Sequence, residues 1–419
     1  MKTPGLTEKI MKMDKEQKKI MILGASVYQV PLIKTARRMG LYTIVSSIPG
    51  AYPGFSDADK IYHINTTDKE AILKVCREEG VCGICTSGTD VAVATIGYVN
   101  EQMGLTGISE AAANKACDKY EMKKAFAEGG VSASRFIRAD SLDEAREAAN
   151  DIGYPVVVKC VDSSGSRGIN VVDSEEELEA AYKEAIGYSR KAYVLIEEKL
   201  GGDEIGVDGI VQNGEVSLIA PHQKYTYSFK GVTMPAGHSF PYHCSSSVRA
   251  EIEKQITLAV RALGLDNCAF NSDVFVDGEN VYIIEMGGRA GATGIPELIS
   301  IHYGFDFYEL MIKSALGETA EPRTSEIKQP CMSRLLMSPL DGVITRVDEE
   351  AIDRIREKGC EIRIDYSAGC SVEQMHNGTT RIGHLITRSD DEAEAERIMD
   401  EIYDALYLDG ISMKELWKR

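Results

Sequence analysis

The chain has 419 residues, enough for two or three compact units at about 150 residues each. Hydrophobic residues at 43% and charged residues at 27% supply ample core, which excludes a disordered or fibrous chain. With 47 Lys and Arg against 65 Asp and Glu, the net charge of −18 argues against general affinity for nucleic acid or anionic membrane.

Met1 to Lys19 is polar and charged where a secretion signal would be apolar, and ten cysteines are too few for a disulfide scaffold. A cytoplasmic protein with reduced thiols is therefore expected. Cys82-Gly-Ile-Cys85, the only C-x-x-C, falls in a strand-like run whose side chains three apart face opposite ways. That favours buried structural thiols over a metal or redox pair.

In chain order, residues 1–18 read as a loose extension. Lys19 to Gly24 reads as a buried strand and its turn, followed by an amphipathic segment to Gly40. Strands at Tyr42–Ser46, Lys60–Ile64 and Val81–Thr86, with a helix at Asp68–Glu79, continue a βαβ alternation that implies a parallel sheet covered by helices. The turn Gly24-Ala-Ser-Val-Tyr-Gln29 lacks the later glycines of a dinucleotide fingerprint. Capping boxes are read at Ser141–Glu144, Ser174–Glu177 and Ser389–Glu392, with helix stops at Gly129, Gly153, Gly187 and Gly264. Between them lie strands at Val156–Cys160, Gly168–Val172, Tyr193–Glu197 and Glu204–Gln212. Hairpins turn through Asn213-Gly214 and Asp277-Gly278. The polar stretch Glu318–Gln329 reads as a linker, and the remainder alternates strands with helices at Asp348–Lys358 and Asp390–Leu406.

Three constellations carry chemistry. Lys159 ends the strand Val156-Val-Val-Lys, and Asp162-Ser-Ser-Gly-Ser-Arg-Gly168 follows: a point charge and small-residue amides, the combination phosphate oxygens need. A Lys snorkelling beside an ordinary turn is the plainer alternative. Glu197 and Glu204 flank a Gly-Gly turn, where their carboxylates suit an adenine amino group and ribose hydroxyls, or merely a solvated hairpin tip. Asp273 and Glu285 lie on adjacent hairpin strands, close enough to share Mg2+, with Arg289 beyond them to steady an oxyanion. A surface acid pair would repel itself, whereas Glu285 closes the apolar run Val281-Tyr-Ile-Ile284.

In this order the motifs resemble the ATP-grasp superfamily over roughly residues 20 to 320. The pair Asp118-Lys119, on a helix ending at Gly129-Gly130, fits that family's first nucleotide lysine. The resemblance implies an α/β and α+β protein divided as a pre-ATP-grasp domain at 19–112, an ATP-grasp domain at 113–317 and a C-terminal α+β region at 318–419. It implies that Lys119 and Lys159 contact ATP phosphates beneath Ser166 and Gly168. Glu197 and the Leu200 backbone would hold adenine, and Glu204 the ribose. Asp273 and Glu285 would bind Mg2+, with Mn2+ as a substitute, and Arg289 would face the reacting carbonyl. Two departures stand out: Gly287 where the family usually has a ligating Asn, and Thr293 where the biotin carboxylase branch has a glutamate base. Glu285 to Leu298 is instead similar to carboxylate–amine ligases, including L-amino acid ligases, and Asn377 to His384 resembles the tail of ligase and carboxylase-like members. The expected activity is ATP-dependent amide or peptide bond formation through an acyl phosphate. The alternatives are a bicarbonate-using carboxylase or carbamoyl-phosphate-type enzyme, and an ATP-binding regulator without turnover. Substrate carboxylate candidates are His222, Lys224, His238, Arg289 and Arg334. Expected partners are a small-molecule acid and amine, with a homodimer allowed.

Overall fold

The computed structural model describes residues 17–162, 167–229, 232–376 and 380–418. Most of the N-terminal extension, Ser166 and Asn377 to Thr379 lie outside these residues.

Strands Lys19–Leu23, Tyr42–Ser46, Lys60–Tyr62 and Gly83–Cys85 form the expected parallel sheet, with Lys19–Leu23 between Tyr42–Ser46 and Gly83–Cys85. Alternation divides its first strand between two cores. Met21 and Leu23 join a core with Phe126, Val207 and Phe270, whereas Ile20 and Ile22 pack with Leu298, Phe307 and Met311. A sheet buried on both faces explains the unbroken apolar run Ile20–Leu23.

A four-stranded antiparallel sheet, Phe136–Ala139, Val194–Glu198, Val156–Lys159 and Ile169–Val172 in spatial order, carries helices Leu142–Ile152 and Glu175–Tyr188 over a core of their own. Beside it an eight-stranded antiparallel sheet runs Asn280–Gly287, Cys268–Asp277, Asp203–Gln212, Glu215–Phe229, Val232–Phe240, Cys331–Leu336, Gly383–Thr387 and Glu361–Ile364. Its last three strands come from beyond the linker, so the C-terminal region extends the central sheet through the pairing of Phe240 with Cys331. A small sheet there covers a further core around Ile344, Ile402 and Leu406.

Several local expectations are corrected. Ser141 caps its helix through the Glu144 N–H, but Ser174 makes no side-chain cap bond; there Glu177 accepts from the Asp173 N–H at 3.0 Å. The cap of Glu392–Ala405 falls at Asp391, and Ser389 accepts from the Asp391 N–H instead. Gly187 lies inside its helix, one residue before the end. The second hairpin turns at Gly278-Glu279, because Asp277 still pairs with Asn280. A short helix, Met413–Trp417, follows the one expected to be last. Cys82 is exposed rather than buried. In the first hairpin Asn213 and Gly214 have φ of 52° and 78°, the conformation a two-residue turn between twisted strands requires.

Candidate active site

Helix Lys119–Glu128 is capped by Asp118, whose carboxylate accepts the N–H groups of Tyr120 and Glu121. Its first residue, Lys119, lies 3.2 Å from Glu285. One turn on, Lys123 is 1% exposed and sits 3.2 Å from Glu197, while donating to Ser134 at 2.9 Å. Lys159 approaches the same Glu197 oxygen at 3.0 Å. Burial opposes the Glu197 charge, but Lys123 and Lys159 hold its carboxyl down at about 2. Its second oxygen, Oε1, is buried with no hydrogen-bond partner. An acceptor so placed needs a donor from outside the chain.

Asp273 and Glu285 face each other in register, as the hairpin implied. Lys224 donates to Asp273 at 2.7 Å and to Glu204 at 2.5 Å, so its ammonium stands between these acids. Lys119 is the main cause that lowers Glu285 to about 2, whereas burial raises Asp273 despite Lys224. Among the described residues no three acidic, His or Cys side chains are gathered as a ready cation cage. The donor chemistry nonetheless suits a hard divalent cation: two carboxylates on a rigid hairpin, currently shared with lysines.

Arg289 bonds Asp90 at 2.6 Å and Asn271 at 2.9 Å, and its Nε is buried without a partner. A methyl group on Gly287 would come within 3.1 Å of the Asp90 carboxylate, so the glycine leaves room for an acid from the loop after strand Gly83–Cys85. Asn271, directly across the ladder from Gly287, continues to Asp208 at 2.7 Å. Asp208 also accepts the Gly291 N–H at 2.7 Å and meets His222 at 3.1 Å, both side chains wholly buried. His222 packs edge-on against His238, which reaches the Thr293 hydroxyl at 3.0 Å. Burial pushes His238 well below the usual imidazole range, so it is neutral.

This network locks the loop carrying Arg289, and His222 and His238, two of the expected substrate residues, lie inside it. Arg334 stacks on Tyr225 and pairs with Glu392, and Lys224 belongs to the acidic group. Gly168, at φ 66°, packs against Cys160 and Tyr188, and Leu200 lies just past strand Val194–Glu198. Sequence reasoning missed Lys123, Asp90, Asn271 and Asp208. Lys123 was within reach, four residues from Lys119 on one helix face; so was Asn271, two from Asp273 on one strand face.

Beyond this loop a cavity of about 560 Å³ opens at the C-terminal ends of the parallel strands. Its walls include Tyr28, Ser87, Ala292, Glu297 and Arg381. Where the strand order reverses, the connections leaving neighbouring parallel strands part in opposite directions, leaving a crevice for a ligand. The loops meet there directly: Ser87 bridges Ala290, and the Gly88 N–H donates to the Ala290 carbonyl at 3.1 Å.

Two family profiles match this chain: the D-Ala–D-Ala ligase C-terminus over residues 131–313 and the L-amino acid ligase C-terminal domain 2 over 334–409. A formate-dependent phosphoribosylglycinamide formyltransferase from Wolinella succinogenes is 30% identical over 311 residues, 71% of this chain and 76% of that protein. The chain is an ATP-grasp ligase. Phosphoribosylglycinamide synthetase from Anaerococcus prevotii superposes with a TM-score of 0.78 at 26% identity, over 94% of this chain and 99% of the other. L-amino acid ligase from Bacillus licheniformis shares the fold, with a TM-score of 0.77 at 20% identity and the same coverage. The enzyme therefore belongs to the carboxylate–amine ligases, which form carbon–nitrogen bonds. Among the described residues no helix is long and apolar enough to cross a membrane.

Proposed function

We propose that the enzyme joins an organic acid to an amine through an acyl phosphate, using ATP and releasing ADP and phosphate. The observation that carries this reading is the convergence on Glu285: Asp273 faces it across the hairpin, Lys119 and Lys159 hold its carboxyl low, and its charge acts in turn on Arg289. Lys119 and Lys159 hold the ATP phosphates, with Ser166 and Gly168 in the covering loop. The unpartnered Oε1 of Glu197 accepts from the adenine amino group, next to the Leu200 backbone, and Glu204 accepts from the ribose. Asp273 and Glu285 would hold Mg2+, or Mn2+ in its place; bound there, the cation supplies charge neutralisation to the phosphate oxygens. The acid's carboxylate oxygen attacks the γ-phosphorus, and ADP leaves. The amine then attacks the acyl carbon, Arg289 stabilises the oxyanion that develops there, and phosphate departs.

The match of residues 334–409 to an L-amino acid ligase domain favours an amino acid as one substrate. The identity to formate-dependent enzymes favours a second reading, with formate as the acid. The test is ADP release from purified enzyme and Mg-ATP, with amino acids singly and in pairs, formate, and a bicarbonate control. An acid–amine pair that raises ADP and phosphate together supports the proposal; stimulation by bicarbonate alone contradicts it.

A further inference from the structure

The two oxygens of Glu197 have unlike surroundings. Three donors converge on Oε2: Lys123 at 3.2 Å, Lys159 at 3.0 Å and the Ser134 hydroxyl at 2.6 Å. None reaches Oε1. Ser134 has a single proton, which goes to Glu197, so its oxygen accepts from Lys123 at 2.9 Å. Lys123, Glu197 and Ser134 are almost wholly enclosed, at 1%, 2% and 4% exposure. The carboxylate is thereby fixed in place, with one buried oxygen left for a donor that the chain does not supply.

The two lysines are not equivalent. Lys159 ends strand Val156–Lys159, and under the proposed function its ammonium also serves the ATP phosphates. Lys123 sits one helical turn beyond Lys119, and Glu197 is its only ion-pair partner among the described residues. Of the two, Lys123 does more to hold the carboxyl down. When phosphates draw on Lys159, Lys123 and Ser134 are the groups that remain on Oε2. A carboxylate this deeply buried that loses its compensating charge takes up a proton, and a neutral carboxyl is a much weaker acceptor than a carboxylate.

We infer that Lys123 is a positioning residue for base recognition: with Ser134 it keeps Glu197 charged and aimed while nucleotide is bound, so that the site selects nucleotides by an exocyclic amino group. The inference rests on the ATP reading above. Lys123 acts through Glu197 rather than on the nucleotide. An amino group donates to Oε1. A base with a carbonyl in that place meets the carboxylate with a second acceptor, and a base with only hydrogen there leaves Oε1 unpaired.

The test titrates purified full-length protein by calorimetry, in Mg2+, with ADP and with purine riboside diphosphate. The two differ only in the amino group, and neither turns over. The unaltered protein should prefer ADP by about 10- to 100-fold, the range for a hydrogen bond to a charged acceptor. Lys123→Gln, which keeps most of the side chain's length and removes its charge, should reduce that preference to about threefold, whereas Lys123→Arg should retain it. Ser134→Ala keeps both lysines and should fall between, and it carries the test if Lys123→Gln does not fold. Weaker binding of both nucleotides at an unchanged ratio in Lys123→Gln, or equal loss of preference in Lys123→Arg and Lys123→Gln, would overturn the inference. So would an unaltered protein that binds the two equally, or a Ser134→Ala variant with the full preference where Lys123→Gln does not fold. An unaltered protein that binds neither nucleotide would overturn the ATP reading itself.

Discussion

The two ends of the active site handle charge in opposite ways. At the nucleotide end every acid is matched to a lysine: Glu197 to Lys123 and Lys159, Glu285 to Lys119, and Asp273 and Glu204 to Lys224. At the cavity end Glu297 forms no ion pair among the described residues, while Arg363 and Arg381 share Asp365 and Arg356 meets Glu349 and Asp353. Under the proposed function, the ligand of the first end would exchange ion-pair partners, phosphates for carboxylates and a metal for lysines. The second keeps its arginines paired within the chain and leaves one half-buried acid outside those pairs. Burial makes each arrangement consequential, because charges interact more strongly where water is excluded.

Breaking the nucleotide end should have the largest effect. Lys159→Ala is expected to cut acid-dependent ADP formation by about 1,000-fold, the scale of losing a preorganised charge at a transferring phosphoryl group. An enzyme that kept full turnover would remove Lys159 from the phosphate site. Next comes stability. Lys123→Met leaves the buried Glu197 with one lysine instead of two and should lower the unfolding free energy by about 3 kcal/mol, measured by urea denaturation. A loss below about 1 kcal/mol, the range of exposed pairs, would mean that water reaches this pair.

A third test sharpens the contrast through pH. Glu197 titrates at about 2 in the fold against an ordinary value of 4.5, so its ionic stabilisation is complete above 4.5 and is lost as pH falls towards 2. Unfolding of the unaltered enzyme should therefore depend more steeply on pH between 4.5 and 3 than that of Glu197→Gln. Parallel curves would show that the lysines do not hold this carboxyl down. The smallest effect is expected where Asn271 steadies Arg289. Asn271→Ala should lower the rate about tenfold and leave the apparent ATP affinity unchanged, because the lysines are untouched.

The contrast also explains what the sequence made legible. The nucleotide end is built from short strings, such as Val156-Val-Val-Lys159 and the hairpin from Asp273 to Glu285, in which chemistry and strand period sit within a dozen residues. Period-two alternation was enough to place Asp273 opposite Glu285. The network beneath Arg289 was harder to read. Asp208 lies alone in the apolar stretch 205–211 of strand Asp203–Gln212, and only its distant partners, Asn271, His222 and Gly291, give it a purpose. His222 and His238 read as ligand-binding loop residues because nothing local reveals that their strands pair inside an eight-stranded sheet. The cavity draws on Tyr28, Ser87, Glu297 and Arg381, separated by up to most of the chain, so only the packing of the parallel sheet against Ile295–Tyr303 and the C-terminal strands brings them together. The same packing explains why a linker at 318–329 does not isolate the region after it.

The central claim, an acyl phosphate between acid and amide, is tested most directly with the acid that stimulates ADP release, labelled with oxygen-18 in its carboxyl group. Each turnover with the amine should move one labelled oxygen into the released phosphate, because the bond to phosphorus forms from the carboxylate. Released phosphate free of label, with amide still produced, would contradict the account.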